Sequence, residues 1–89
     1  MVIRKDSIVF TPARIGKLEI KNRLVRSATY ERAATNKGEV SDFLVDVYRT
    51  LAKGGVGLII TSIAGVYSKA LAPERIIRVD NDDFIAGLR

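Results

Sequence analysis

The clearest periodic signal lies in the middle of the chain. Phe43, Leu44, Val47, Tyr48, Leu51 and Ala52 recur at helical spacing on one side, and Asp46, Arg49, Thr50 and Lys53 fall on the other. Ser41 is a good N-cap, and Asp42 complements the positive end of the helix dipole. Gly54 and Gly55 supply the left-handed stop. Directly afterwards, Val56-Gly57-Leu58-Ile59-Ile60-Thr61-Ser62 is almost continuously apolar, without alternation. That suits a strand covered on both faces, as in a parallel sheet.

Upstream, Ile15, Leu18 and Ile20 predict two short strands around a Gly16-Lys17 turn. Pro12 closes the mixed lead-in from Met1 to Thr11. Leu24 and Val25 run into an extended stretch, Arg26-Ser27-Ala28-Thr29-Tyr30. Glu31 to Glu39, containing Asn36-Lys37-Gly38, reads as a loop with a turn. A strand, a loop, a helix, a two-glycine turn and a buried strand make a βαβ unit. Ala64 to Arg78, with Pro73 inside it, reads as irregular. Asp80 to Arg89 reads as a beginning helix, with Asn81 or Asp82 as its cap ahead of Phe84, Ile85 and Leu88.

Two parallel strands and one full helix leave sheet edges and faces without partners. The 89 residues are therefore expected to be a single piece of a larger α/β protein, incomplete as it stands. In such folds the chemistry gathers at the C-terminal ends of the strands. Here those ends are Ser27 to Tyr30 and Thr61 to Ala64.

Composition narrows the chemistry. With 47% apolar residues the chain is too hydrophobic for a disordered segment. It has neither cysteine nor histidine, which removes disulfides, thiolate ligands, thiol nucleophiles and the commonest general base. No apolar run approaches the roughly 18 residues that span a bilayer, and no secretory h-region opens the chain. A cytoplasmic protein without membrane contact is expected. The net charge of +5 would suit nucleic acid or an anionic cofactor. The basic residues are scattered, however, and are not interleaved with aromatics as a stacking platform requires, so nucleic acid is the weaker option. Gly54, Gly55 and Gly57 follow a helix and precede a strand, the reverse of a dinucleotide fingerprint.

Two segments carry a more specific signal. Phe10-Thr11-Pro12 followed by Ile15-Gly16-Lys17-Leu18-Glu19-Ile20-Lys21-Asn22-Arg23-Leu24-Val25 resembles the opening of the flavin-dependent reductases related to old yellow enzyme. Tyr48, Leu51, Ala52 and Gly54-Gly55-Val56-Gly57-Leu58-Ile59-Ile60-Thr61 resemble that family's helix-to-strand passage, in matching order and spacing. The resemblance covers residues 8 to 89. It implies the N-terminal portion of a (β/α)8 barrel, a hairpin plus about two βα units, that binds FMN at its C-terminal rim. Hydride would come from NADH or NADPH and pass through the flavin to an activated alkene or a related unsaturated small molecule.

By the same resemblance, Ser27, Ala28 and Thr29 would line the flavin. Tyr30 would stand near its reactive edge, and Ser62 and Ile63 would border the ring on the other side. Small residues let a flat ring approach the backbone, and donors near its O4 and N5 stabilise the charge of the reduced form. Alternative roles stay open: ordinary strand ends for Ser27 to Thr29, and a packed aromatic for Tyr30. Tyr48 is expected to pack in the core. Arg23 is expected to be a structural charge near the barrel floor, whereas Arg26 could reach the flavin's pyrimidine side. Two departures stand out, Ala28 where relatives have proline, and a bulky Tyr30 where they have threonine or cysteine. The family's substrate-anchoring histidine, flavin-binding glutamine and phosphate loops have no counterpart here, so this chain is expected to be inactive alone. The other readings are a non-catalytic fragment that associates with itself, and a small basic binding protein.

Overall fold

A computed structural model describes residues 4–67 and 74–89. The lead-in makes a single 3-10 turn, Ile8–Phe10, with the Ser7 hydroxyl accepting from the Val9 amide. The hairpin forms as expected. Strand β1 (Ala13–Ile15) pairs antiparallel with β2 (Leu18–Ile20), Ala13 opposite Ile20 and Ile15 opposite Leu18. Gly16 takes a φ of +59°, the left-handed geometry that a tight connection demands. Arg14 faces Glu19 across the ladder, a favourable cross-strand charge pair.

The βαβ unit follows. Strand β3 (Val25–Arg26) is parallel to β4 (Leu58–Ile59), with Val25 opposite Leu58 and Arg26 opposite Ile59. Between them runs helix α1 (Asp42–Lys53). Ser41 caps it doubly. Its hydroxyl accepts from the Leu44 amide at 3.1 Å and donates to the Ala33 carbonyl, so one side chain starts the helix and ties down the preceding loop. Such a cap contributes about 1 kcal/mol. At the other end Gly54 and Gly55 donate to the Thr50 and Ala52 carbonyls, and Gly55 turns the chain with a φ of +97°.

Beyond this unit the structure differs from the sequence reading in three places. The apolar run Val56 to Ser62 forms a ladder only at Leu58–Ile59, because β3 offers just two residues to pair with. Ala64 to Arg78 is not wholly irregular: β5 (Ala64–Gly65) and β6 (Ile77–Arg78) form a second parallel pair. No local pattern marks such two-residue strands; Pro73 lies outside the described residues. The expected helix at Asp80 to Arg89 opens with a 3-10 turn, Asp82–Phe84, before α2 (Ile85–Leu88). Asn81 is the cap, accepting from the Asp83 amide at 2.8 Å.

The core is small. Ala33, Ala34, Leu44 and Ile77 form one buried cluster, with Val40 and Tyr48 packed against it. Alanines let the loop before α1 lie close to β6, where the Ala34 amide donates to the Arg75 carbonyl and the Arg78 amide to that of Gly38. Gly38 is required twice over, by its φ of +84° and by the Arg78 stem where a Cβ would stand. Of the apolar helix face, Leu44 is only 3% exposed but Phe43 remains 64% exposed. An open groove of about 540 Å3 runs along the same helix between Val40, Tyr48, Ile59, Ile77 and Leu88. The helix has more apolar surface than these elements cover. The architecture is a small α/β unit.

Candidate functional site

Parallel pairing has one geometric consequence that matters for function: both strands leave the sheet at the same edge. Ser27 to Tyr30 follow β3 and Ile60 to Ile63 follow β4, and the Ile60 amide donates to the Arg26 carbonyl at 3.0 Å to hold the two exits together. Ser27, Ala28 and Thr29 are exposed, as are Tyr30 at 39% and Ile63 at 42%; Ser62 is half-buried. The six residues singled out by the sequence thus come from two neighbouring strand exits.

Their polar groups are partly engaged within the chain. The Thr29 hydroxyl donates to the Ser27 carbonyl at 3.1 Å, and the Tyr30 hydroxyl donates to the Glu74 carbonyl. Arg32 meets the Glu74 carboxylate at 2.9 Å, so Glu74 anchors the end of the segment from two sides. Arg26 does not reach this edge. Its guanidinium pairs with Glu31 and lines a hollow of about 350 Å3 against α1, with Phe43, Val47, Thr50 and Leu51. Nη1 of Arg26 is buried there without a partner. Because side chains alternate along a strand, Arg26 facing the helix puts Val25 on the opposite face.

A residue that the sequence reading treated as core packing takes part in this edge. The Tyr48 ring packs against the buried cluster, and its hydroxyl accepts a hydrogen bond from the Ser62 amide at 2.8 Å. The available signal was the phenol itself, since a half-buried tyrosine hydroxyl usually has a partner.

The far end of the strands is a clamp. The Asn22 amide donates to the Gly55 carbonyl at 2.6 Å, and its Oδ1 accepts from the Leu24 amide at 3.0 Å. The Gly57 and Leu58 amides both donate to the Leu24 carbonyl. Gly57 lies so close to Asn22 that a Cβ would stand 2.6 Å from Oδ1. Arg23 grips the lead-in: its amide donates to the Val9 carbonyl, and its guanidinium donates to the Thr11 hydroxyl and the Pro12 carbonyl. These positions serve structure. Arg78 is structural as well. It donates to both oxygens of Asp80, at 2.9 and 2.6 Å, and lies over the Phe84 ring. This pairing holds the Asp80 carboxyl below its ordinary range, so the pair is formed at neutral pH and is lost on strong acidification.

Among the described residues, no group of three or more acidic side chains is placed to hold a metal, and no helix is long and apolar enough to cross a membrane.

Comparison with known proteins gives the family. Residues 8–89 match the model of the NADH:flavin oxidoreductase / NADH oxidase family. The chain is 40% identical over 83 residues to a metal reductase of Desulforamulus reducens, covering 93% of this chain and 12% of that protein. It is 39% identical over 80 residues to an NADH oxidase of Thermoanaerobacter brockii, covering 89% of this chain and 12% of that protein. An NADPH dehydrogenase of Bacillus cytotoxicus is 30% identical over 82 residues, 91% of this chain and 24% of its own length. The chain thus spans a small share of each of these relatives. With both motif segments joined in one clamp and the family model matched almost end to end, the chain belongs to the NADH:flavin oxidoreductase / NADH oxidase family.

Proposed function

We propose that residues 1–89 supply the first flavin-lining wall of an FMN-dependent, NAD(P)H-driven oxidoreductase, as the opening portion of its (β/α)8 barrel domain. The observation that carries this reading is the shared exit of β3 and β4, with Ser27 to Tyr30 and Ser62 to Ile63 at one edge. In barrels, the strand ends on that side build the active site. The open hydrophobic helix flanks and the two-residue ladders are consistent with neighbours beyond these residues.

The residues suit the isoalloxazine of FMN in part. Ser27, Ala28 and Thr29 form an exposed run of small side chains over which a flat ring can lie close to the backbone. When bound, the flavin supplies the hydride transfer, from a nicotinamide to a small unsaturated substrate such as an alkene conjugated to a carbonyl. This chain's residues orient and shield. Ser27 to Thr29 support the ring, Tyr30 closes one side of that run with its hydroxyl tied to the Glu74 carbonyl, and Ser62 and Ile63 border the ring from β4. Two exits give one wall only, and a barrel site draws on several strands.

Titration of FMN into the purified chain tests this reading. Weak binding, with a Kd on the order of 1 mM as two strand ends would give, is expected from fluorescence quenching, with no steady NADH consumption. A tight yellow complex that turns over NADH would refute inactivity alone; no quenching at all would refute the flavin wall.

A second reading, self-association, is favoured by the exposed apolar side chains Phe43, Val66 at 77% and Tyr67 at 62%. Copies covering these surfaces would bury what a single chain leaves in water. Light scattering is expected to give at least twice the mass of one chain at high concentration. A monodisperse monomer would remove this reading.

A further inference from the structure

We infer that Tyr48 is a positioning residue for the flavin edge, setting the tip of β4 through the Ser62 backbone. This inference rests on the flavin-wall reading of Ser62 and Ile63. The geometry that carries it is local. Tyr48 stands on α1, and its ring is packed against the cluster of Ala33, Ala34, Leu44 and Ile77. Its hydroxyl oxygen lies 2.8 Å from the Ser62 nitrogen, three residues beyond the end of the β4 ladder.

The β3–β4 ladder stops short of Ser62, and the β5–β6 pair begins only at Ala64. The last described bond from β4 to β3 is the Ile60 amide to the Arg26 carbonyl. Between these two ladders Thr61 and Ile63 are exposed, and the Ser62 amide is tied to helix α1 through Tyr48. The hydroxyl is rigidly aimed because the ring has only two rotatable bonds and is wedged in the core. Helix packing is thereby converted into a fixed height for the strand tip above the Ser27 to Thr29 run. A phenylalanine would keep the wedge and lose the tie. The bond also occupies the Ser62 amide, so that amide is not free to donate to the ring.

The test compares the full chain with Tyr48→Phe, using amide exchange and FMN titration followed by NMR at the backbone resonances. In the variant, exchange at Ser62 should rise about tenfold while the Leu44 and Ile77 amides keep their protection. FMN-induced shifts at Ser62 and Ile63 should shrink at least about threefold, with those at Ser27 to Thr29 reduced less. Unchanged exchange at Ser62 overturns the inference. So do increased exchange and undiminished shifts, since the tie would then have no bearing on the flavin. If the unsubstituted chain shows no FMN shifts at residues 27–30 or 62–63, the flavin-wall reading itself fails and takes this inference with it. Should Tyr48→Phe also lose protection at Leu44, the unsubstituted chain is read instead: slower exchange at Ser62 than at Thr61 and Ile63 supports the tie, and equal exchange at the three overturns it.

Discussion

Replacing Gly57 with alanine will lower the stability of the chain by about 2 kcal/mol, read as a fall in the urea midpoint at constant slope. The cause is geometric. Gly57 passes Asn22 at a distance that admits no side chain, and the atoms a Cβ would meet include the Asn22 backbone and Oδ1. Neither can retreat freely. Asn22 is fixed by its bonds to the Gly55 carbonyl and the Leu24 amide, and the Gly57 amide is itself bonded to the Leu24 carbonyl. An added methyl must therefore push β4 from β3 or break the Asn22 latch. Alanine at Gly16 is the control for crowding, since nothing lies within 4 Å of its added Cβ; only the strain of its positive φ is paid there. An unchanged midpoint for Gly57→Ala would show that the clamp is soft.

Leu44→Ala will cost about 3 kcal/mol, within the range for emptying a well-buried leucine site. Small single domains hold only about 5 kcal/mol in reserve, so about 2 kcal/mol would be left and the unfolded fraction would rise to about 3% at room temperature. Leu44 and Ile77 are the two large side chains in a cluster otherwise built from two alanines. Among the described residues no other helix side chain is as buried in that cluster, and Val40 and Tyr48 only pack against it half-buried. Circular dichroism at 222 nm will report the loss. A loss under about 1 kcal/mol would mean that the groove beside Leu44 collapses to heal the cavity.

Local chemistry made much of the fold legible in the sequence. The Gly16-Lys17 turn, the Ser41 cap and the Gly54-Gly55 stop each depend on one or two residues acting on adjacent backbone. The parallel relation of β3 and β4 followed from the helix between them. What escaped is long-range. Strands β5 and β6 are two residues each and exist through their mutual pairing, which no periodicity announces. The cover of the helix face escaped as well, with Leu44 buried and Phe43 exposed, because periodicity reveals which side is apolar and says nothing of what covers it. At the candidate edge, sequence position identified the strand exits. The engagement of Ser62 by Tyr48, the turn of Arg26 toward Glu31 and the tie from Tyr30 to Glu74 depend on residues 5 to 44 positions apart.

The clamp and the strand exits lie at opposite ends of the same two strands, and this separation gives the chain a division of labour under mutation. Asn22, Gly55 and Gly57 are interlocked, so a change at one must be answered at another before the strands can sit side by side again. Ser27, Ala28 and Thr29 project from the other end with little packed against them, so their identities can drift at small energetic cost. The strand exits can therefore change in sequence without unmaking the scaffold.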